Sequence, residues 1–236
     1  MIKKIKHLEL FAGIGGFRSA IDLYCKDNKL ISECVGFSEI DKYAVKSYKA
    51  NFDIKNEVEI GDIDFFTKQR KLVKKLPDFD LLTAGFPCQA FSMMGRQLGF
   101  EDSRGNIFYA IIKVLQVKKP KYVLLENVRN LTRHDNGNTF IEITRSLRED
   151  AGYTVFNDVF NTSDFGLPQT RRRVFLLAIR NDLDSIINDI KFEAKEVKRE
   201  FNHLNGSTNL RNFENVLGGV LEKKVDDIYY LSERIK

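Results

Sequence analysis

Short apolar runs of strand length recur along the first three quarters of this chain, and stretches with helical periodicity separate them. That alternation constrains the fold more than any other feature. Ile5 to Phe11, Ile31 to Ser38, Val58 to Ile60, Phe79 to Ala84, Tyr122 to Leu125, Tyr153 to Asn161 and Val174 to Ile179 read as seven strands. Helical patterns fit Gly16 to Lys26, Lys42 to Asn51, Asn106 to Lys118 and Thr139 to Asp150. Strands separated in this way need crossover connections, so the expected class is α/β, with a doubly wound, mostly parallel, seven-stranded sheet. Ligands of such sheets bind beyond the carboxyl ends of the strands. The residues at those ends are therefore the first candidates for function.

Composition narrows the field. The chain has 236 residues, 43% hydrophobic and 30% charged, which suits an ordinary globular protein with one large core. Cys25, Cys34 and Cys88 are unevenly spaced with no C-x-x-C pair. That argues against a disulfide framework and for a reducing, cytoplasmic setting. His7, His134 and His203 lie far apart, so no metal site is expected. No apolar run approaches the ~20 residues of a membrane helix, and no membrane association is expected. The net charge of +5 is uneven: residues 181–236 hold 9 Lys/Arg and 11 Asp/Glu, whereas residues 1–180 hold 29 and 22. A basic front portion suits a polyanionic partner such as nucleic acid. After Arg180 the apolar pattern decays into polar sequence, including 191–200 and 202–212, which reads as a loosely packed tail. The expected division is a catalytic domain over 1–180 and an extension over 181–236.

Three successive strand ends carry a candidate cofactor site. Phe11-Ala12-Gly13-Ile14-Gly15-Gly16-Phe17 follows the first strand and opens the first helix. Glycines there let backbone approach a ligand and expose helix amides. The dinucleotide fingerprint G-x-G-x-x-G fails, because Arg18 stands where its third glycine would be. Glu39 ends the second strand, where a carboxylate can accept both hydroxyls of a ribose. Asp62 follows Gly61 after the third strand, placed to accept from an adenine amino group. Each acid alone is as readily a solvated loop residue or a helix cap. Together with the glycine turn they suit an adenosyl ligand without a diphosphate, of which S-adenosylmethionine is one.

A candidate catalytic set lies further along. Gly85-Phe86-Pro87-Cys88-Gln89 puts a cysteine at the end of the fourth strand, a fixed position with an open face for a nucleophile. A free cysteine is more often a small buried hydrophobe. Residues 89–105 show no period, and a connection that long is usually a lid or binding loop. Glu126-Asn127-Val128 ends the fifth strand, where a buried carboxyl group can act as an acid or sit in a salt bridge. In Gln169-Thr170-Arg171-Arg172-Arg173, alternate residues of an extended segment share a face, so Arg171 and Arg173 are expected to point together. Two guanidiniums on one face suit a carboxylate, a phosphate or a base carbonyl.

These segments, with Asp102-Ser103-Arg104-Gly105-Asn106, resemble in order and spacing the motifs of DNA (cytosine-5)-methyltransferases, in their bacterial restriction-modification form. The resemblance runs from about Ile5 to Arg180. It implies the sheet of S-adenosylmethionine-dependent methyltransferases and a reaction at carbon 5 of cytosine in double-stranded DNA. Cys88 would be the nucleophile toward carbon 6 and Glu126 the group at ring nitrogen 3. Arg173 would contact the base carbonyl while Arg171 helps hold the site. The cofactor residues implied are Phe11 to Phe17, Glu39, Ile40, Asp62, Ile63, Pro87 and Ile107, with Pro87 also shaping the base pocket. The loop 89–105 would close over DNA through Gln89, Ser92, Arg96 and Arg104. The target base must leave the stack, because carbon 6 is inaccessible in a duplex. A zinc deaminase fits less well, since Phe91 stands where its second cysteine should be.

Members of this family continue into a target-recognition domain and a closing Gly-Asn-Ser-Val-like segment, neither of which is found in this chain. The favoured expectation is the catalytic subunit of a split enzyme, completed by a second polypeptide. A truncated fragment, or a non-catalytic relative that binds DNA or protein, are the alternatives. A branch of the family acts on transfer RNA, which leaves RNA as a further alternative substrate.

Overall fold

The computed structural model describes residues 3–87, 106–167 and 169–205. Within them the chain runs β1 (Lys4–Leu10), α1 (Gly16–Asp27), β2 (Ile31–Ser38), α2 (Lys42–Asn51), β3 (Val58–Glu59), α3 (Ile63–Lys68), α4 (Arg70–Lys75) and β4 (Leu81–Gly85). It continues through α5 (Asn106–Lys118), β5 (Tyr122–Val128), a 3-10 segment (Arg129–Gly137), α6 (Asn138–Arg145), a π turn (Ser146–Asp150) and β6 (Tyr153–Asn161). A short 3-10 turn (Thr162–Phe165), β7 (Arg172–Arg180), α7 (Asp184–Asp189) and α8 (Ala194–Asn205) complete it.

The seven strands form one sheet in the order β3-β2-β1-β4-β5-β7-β6. Neighbours from β3 to β5 pair in parallel, as the crossover argument requires. β7 runs antiparallel to both β5 and β6. Its reversal has a functional consequence: the start of β7 lies at the same sheet edge as the carboxyl end of β5. Arg171 and Arg173 thereby reach the edge where the other motifs sit.

The core forms where β-strand alternation meets α5. Leu8 and Leu10 of β1, Leu82 of β4, and Val123 and Leu125 of β5 are fully buried, together with Phe108, Ile111 and Leu115 of α5. Residues of alternate parity on β5 (Tyr122, Leu124 and Glu126) are only half-buried, so the opposite face of the sheet is the one that presents Glu126. Asp41 accepts from the amides of Tyr43 and Ala44 at 2.9 and 2.8 Å, starting α2.

The structure departs from the sequence reading in three places. Residues 184–205, read as a loose polar tail, form α7 and α8. Asp158 of β6 accepts from the Ala194 amide at 2.7 Å to cap α8, and rings pack its surroundings: Phe192 on Phe160 and Phe201 on Phe165, with centroids 5.4 and 5.3 Å apart. The helix read from Thr139 to Asp150 divides at Ser146, where the backbone widens into the π turn. The segment between β3 and β4, which had been given no helix, holds α3 and α4. Among the described residues no helix is long and apolar enough to cross a membrane.

Candidate active site

The glycine turn is held in a strained, open shape. Phe11, Gly13 and Gly15 all have positive φ, at 54°, 55° and 91°. Gly15 must lack a side chain: a Cβ there would lie 2.2 Å from the Phe52 ring and 3.1 Å from Tyr48. The Ala12 amide donates to Ser38 O at 2.9 Å, pinning the turn to the end of β2. Glu39 fixes it from the same side. Its Oε2 accepts from the Gly13 amide at 2.8 Å, and its Oε1 accepts from the amides of Ile40 and Asp41 at 2.8 and 2.9 Å. The carboxylate is thus oriented by backbone, with lone-pair capacity left on Oε2.

The third strand end joins the same edge. Ser38 Oγ donates to Gly61 O at 2.7 Å. Asp62 then caps α3, its Oδ1 accepting from the Asp64 and Phe65 amides at 2.8 and 3.2 Å. The helix-cap reading of Asp62 is therefore realised, and it uses one carboxylate oxygen. The structure assembles Phe11 to Phe17, Glu39 and Asp62 at one sheet edge. Ile40 is exposed beside them, whereas the Ile63 side chain is buried in the main core, so at this edge Ile63 can offer only backbone. Ile107, at the start of α5, packs half-buried against that core.

The second cluster is built by β4, β5 and β7. Gly85 is the register partner of Glu126, and Val128 that of Arg173. Arg173 reaches back along the ladder to place Nε 2.9 Å from Glu126 Oε1, with both side chains about a fifth exposed. Its Nη1 donates to the Arg172 carbonyl at 2.9 Å, which holds the guanidinium in place. Glu126 Oε2 faces Gly85, where an added Cβ would stand 3.5 Å away. Glu126, Arg171 and Arg173 line one cavity of about 390 Å³ with Phe160, Phe175 and Thr162. The two arginines therefore share a face, as alternation predicts. Thr162 clamps the arginine segment: its hydroxyl donates to Gln169 O at 2.6 Å and accepts from the Arg171 amide at 3.1 Å.

An edge-to-face contact joins the two clusters. The Phe17 ring, at the end of the glycine turn, meets Phe175 at 6.5 Å between centroids. Phe175 is in turn the register partner of Glu126. Pro87 is exposed at the end of the described β4 segment. Cys88, Gln89, Ser92, Arg96 and Arg104 lie outside the described residues.

Sequence reasoning gave no role to several residues that build this edge. Asn127 is 3% exposed on the face opposite Glu126. Its Nδ2 donates to Phe86 O at 2.8 Å and its Oδ1 accepts from the Val128 amide at 2.8 Å. It ties the end of β5 to the segment that leads into Cys88. β-strand alternation could have placed it opposite Glu126, in the interior. Arg18 of α1 is also buried, with Nη1 2.6 Å from Glu57 Oε1 and its guanidinium 4.4 Å from the Phe52 ring centroid. No spacing rule reveals that pair. Cys25 and Cys34 are buried and unbridged, and desolvation pushes the Cys34 thiol up to about 12. Neither offers a thiolate near neutral pH. Among the described residues no cluster of His, Cys, Asp and Glu could hold a metal ion.

Comparison with known proteins adds independent observations. A family model described as C-5 cytosine-specific DNA methylase matches residues 5–235. The type II methyltransferase M.HhaI of Haemophilus parahaemolyticus is 43% identical over 180 residues, 76% of this chain and 50% of that protein. The type II methyltransferase M.HaeII of Haemophilus aegyptius is 46% identical over 183 residues, 77% of this chain and 52% of that protein. The chain thus spans about half the length of these relatives. Among solved structures, a DNMT2 mutant from Spodoptera frugiperda aligns with a TM-score of 0.58 at 29% identity, over 76% of this chain and 51% of that one. The fold is that of the S-adenosylmethionine-dependent methyltransferases.

Proposed function

Because the chain belongs to the family of C-5 cytosine-specific DNA methylases, we propose that it methylates carbon 5 of cytosine in double-stranded DNA, with Cys88 as nucleophile and S-adenosylmethionine as donor. The observation that carries this reading is the placement of Glu126 and Arg173. They form a fixed acid–guanidinium pair over Gly85, three residues before Cys88, and ring contacts join that face to the glycine turn.

The residues at the first edge fit the donor. The glycine turn supplies close backbone approach, Glu39 an oriented acceptor for ribose hydroxyls, and Asp62 a carboxylate oxygen beyond its capping bond for the adenine amino group. Ile40 supplies exposed apolar surface beside them. When bound, the cofactor supplies an electrophilic methyl group.

Carbon 5 of cytosine is too weak a nucleophile to take that group unaided. In our reading the Cys88 thiolate adds to carbon 6, and the ring electrons shift toward carbon 5. Glu126 holds a proton at ring nitrogen 3, so negative charge does not accumulate there. Arg173, bound through Nε to Glu126, aims its remaining donors at the base carbonyl. Arg171 lines the same cavity and helps hold the site. After carbon 5 is methylated, it loses its proton, the bond from carbon 6 to Cys88 breaks, and the aromatic ring is restored. Gln89, Ser92, Arg96 and Arg104 are proposed DNA contacts on the loop 89–105, which would also exclude water from the adduct. Pro87 and Ile107 border the donor and the base. Residues 1–180 form the catalytic unit in this reading, and base selection is left to sequence outside it, supplied by a complementing polypeptide.

Methyl transfer from tritiated S-adenosylmethionine tests the reading, with duplex DNA of mixed sequence and transfer RNA compared in parallel, with and without the complementing polypeptide. Label in DNA that disappears in Cys88→Ser supports it. Label confined to RNA, or turnover retained by Cys88→Ser, overturns it.

A further inference from the structure

The proposed chemistry leaves one buried acid unused. Glu9, on β1 directly beneath the glycine turn, is 1% exposed. Its Oε2 accepts from the Tyr48 hydroxyl at 3.4 Å, and its Oε1 completes no hydrogen bond among the described residues. The register partner of Glu9 on β4 is Thr83, whose hydroxyl is likewise buried and has no hydrogen-bond partner among the described residues. Register partners in a parallel ladder share a face, so the two orphan oxygens belong to one polar seat under the turn. An interior carboxyl with an unsatisfied oxygen costs more than an apolar side chain of similar size. Its presence in the interior calls for a physical role.

The groups around Glu9 supply one. Tyr48 of α2 accepts from Arg18 Nη1 at 3.2 Å, and Arg18 of α1 pairs with Glu57 ahead of β3. Tyr48 and Phe52 are also the residues that press against Gly15. The amides of Phe17 and Arg18, which open α1, lean toward the Glu9 carboxyl and favour its charge. Glu9 therefore bears, directly or through Tyr48, on the part of the turn that opens α1, from Gly15 to Arg18. We propose that Glu9 is a positioning residue that holds the glycine turn in its cofactor-ready shape from below, through Tyr48 and the first amides of α1.

A pH dependence follows. Desolvation pushes the Glu9 carboxyl up to about 7, against the opposing pull of the Arg18 and Phe17 amides, the Tyr48 hydroxyl and the Arg18 charge. Among the groups packed around it, His7, Cys34, Tyr48 and Arg18 are displaced from that range, while burial raises the Glu57 carboxyl against the pull of Arg18. Burial lowers His7, on the same face of β1, to about 4 and raises Cys34 of β2 to about 12. Tyr48 is pushed well above its ordinary range by burial, and Arg18 stays charged beside Glu57. The ionised carboxyl draws in the turn, and a cofactor bearing a sulfonium charge favours a carboxylate beneath that turn. Cofactor affinity thus falls as pH falls through neutrality.

This inference rests on the turn binding S-adenosylmethionine, as proposed above. The test is calorimetric titration of the full chain with S-adenosylmethionine at pH 6, 7 and 8 and constant ionic strength, for the wild type, Glu9→Gln, Glu9→Asp and Tyr48→Phe. If the ionised form binds tenfold more tightly, affinity drops about fivefold from pH 8 to pH 6. Glu9→Gln loses that drop and keeps only the titration of the cofactor's own amine. Glu9→Asp, which retains a titratable group, recovers it. Tyr48→Phe removes a donor to the charged form and moves the midpoint upward. Profiles that coincide for the wild type and folded Glu9→Gln overturn the assignment, as does an unmoved midpoint in Tyr48→Phe. A wild type that binds no S-adenosylmethionine at any pH refutes the cofactor reading itself, which separates the two failures.

Discussion

Replacing Asn127 by alanine probes how the end of β5 controls the approach to Cys88. Asn127 is buried and makes two side-chain hydrogen bonds of 2.8 Å, one to the Phe86 carbonyl and one from the Val128 amide. Each such bond contributes about 1 kcal/mol net, and more when its loss strands a group in the interior. Removing the amide also leaves a small void. The expected loss is about 2–3 kcal/mol, readable as a fall in urea midpoint at constant m. A second effect is expected in the kinetics. Phe86 precedes Pro87 and Cys88, and a shift of about 1 Å in a reacting group costs about 10²-fold in rate. Single-turnover methyl transfer in Asn127→Ala should therefore slow about a hundredfold while cofactor affinity holds. Asn127→Asp sharpens the case. It matches the volume and keeps the acceptor for Val128, but sets an oxygen against the Phe86 carbonyl. It should impair transfer as severely as alanine does. An Asn127→Asp protein with native stability and rate would refute the hydrogen-bond argument, and an Asn127→Ala protein that is destabilised but turns over normally would refute the positioning role.

Further expectations concern the pair over Gly85, the glycine turn and the buried acid. Arg173→Lys keeps a charge but not the Nε geometry toward Glu126, so kcat should fall about 10- to 100-fold with little change in cofactor affinity, as read by steady-state kinetics and calorimetry. Gly15→Ala puts a methyl group 2.2 Å from the Phe52 ring at a φ of 91°. It should cost about 2–4 kcal/mol in a denaturant melt and abolish cofactor binding at micromolar concentrations. Glu9 has a folded pKa raised from 4.5 to about 7, so its contribution to stability is complete below about pH 4.5 and is lost as pH rises through 7. The advantage of Glu9→Gln over wild type should therefore be larger at pH 8 than at pH 5, by about 2.5 kcal/mol in chemical denaturation. An advantage that does not change with pH would contradict the burial of that carboxyl.

The parallel part of the sheet was legible because crossover helices leave a period behind. Apolar runs of strand length alternate with helical stretches, and the strand bounds at Ile31–Ser38 and Tyr153–Asn161 match those read from the chain. The glycine turn, Glu39 and Asp62 were legible because they follow strands directly. The clustering of Glu126 with Arg171 and Arg173 was legible as two separate motifs, but the ion pair between them depends on the reversal of β7. The periodicity of an apolar run does not encode strand direction. The helices after β7 were missed because their apolar residues are sparse, although Val197 and Phe201 stand one helical turn apart in α8. The buried network of Glu9, Arg18, Tyr48 and Glu57 was not legible at all. Its partners lie as much as 39 residues apart in the chain, and a single sequence does not reveal which distant charges meet in the interior. A charged residue within the apolar run of β1 was the only sign that Glu9 needed an explanation.

The central claim is that Cys88 attacks a cytosine in DNA that Glu126 and Arg173 hold in place. The most direct measurement is covalent trapping on duplex DNA whose cytosines are replaced by 5-fluorocytosine, in the presence of S-adenosylmethionine, with and without the proposed complementing polypeptide. Fluorine at carbon 5 cannot leave as a proton, so the adduct cannot resolve. The account predicts a complex that survives boiling in detergent, maps by mass spectrometry to the peptide containing Cys88, and is absent in Cys88→Ser. Methyl transfer to DNA without any such complex, or a complex through another residue, would contradict it.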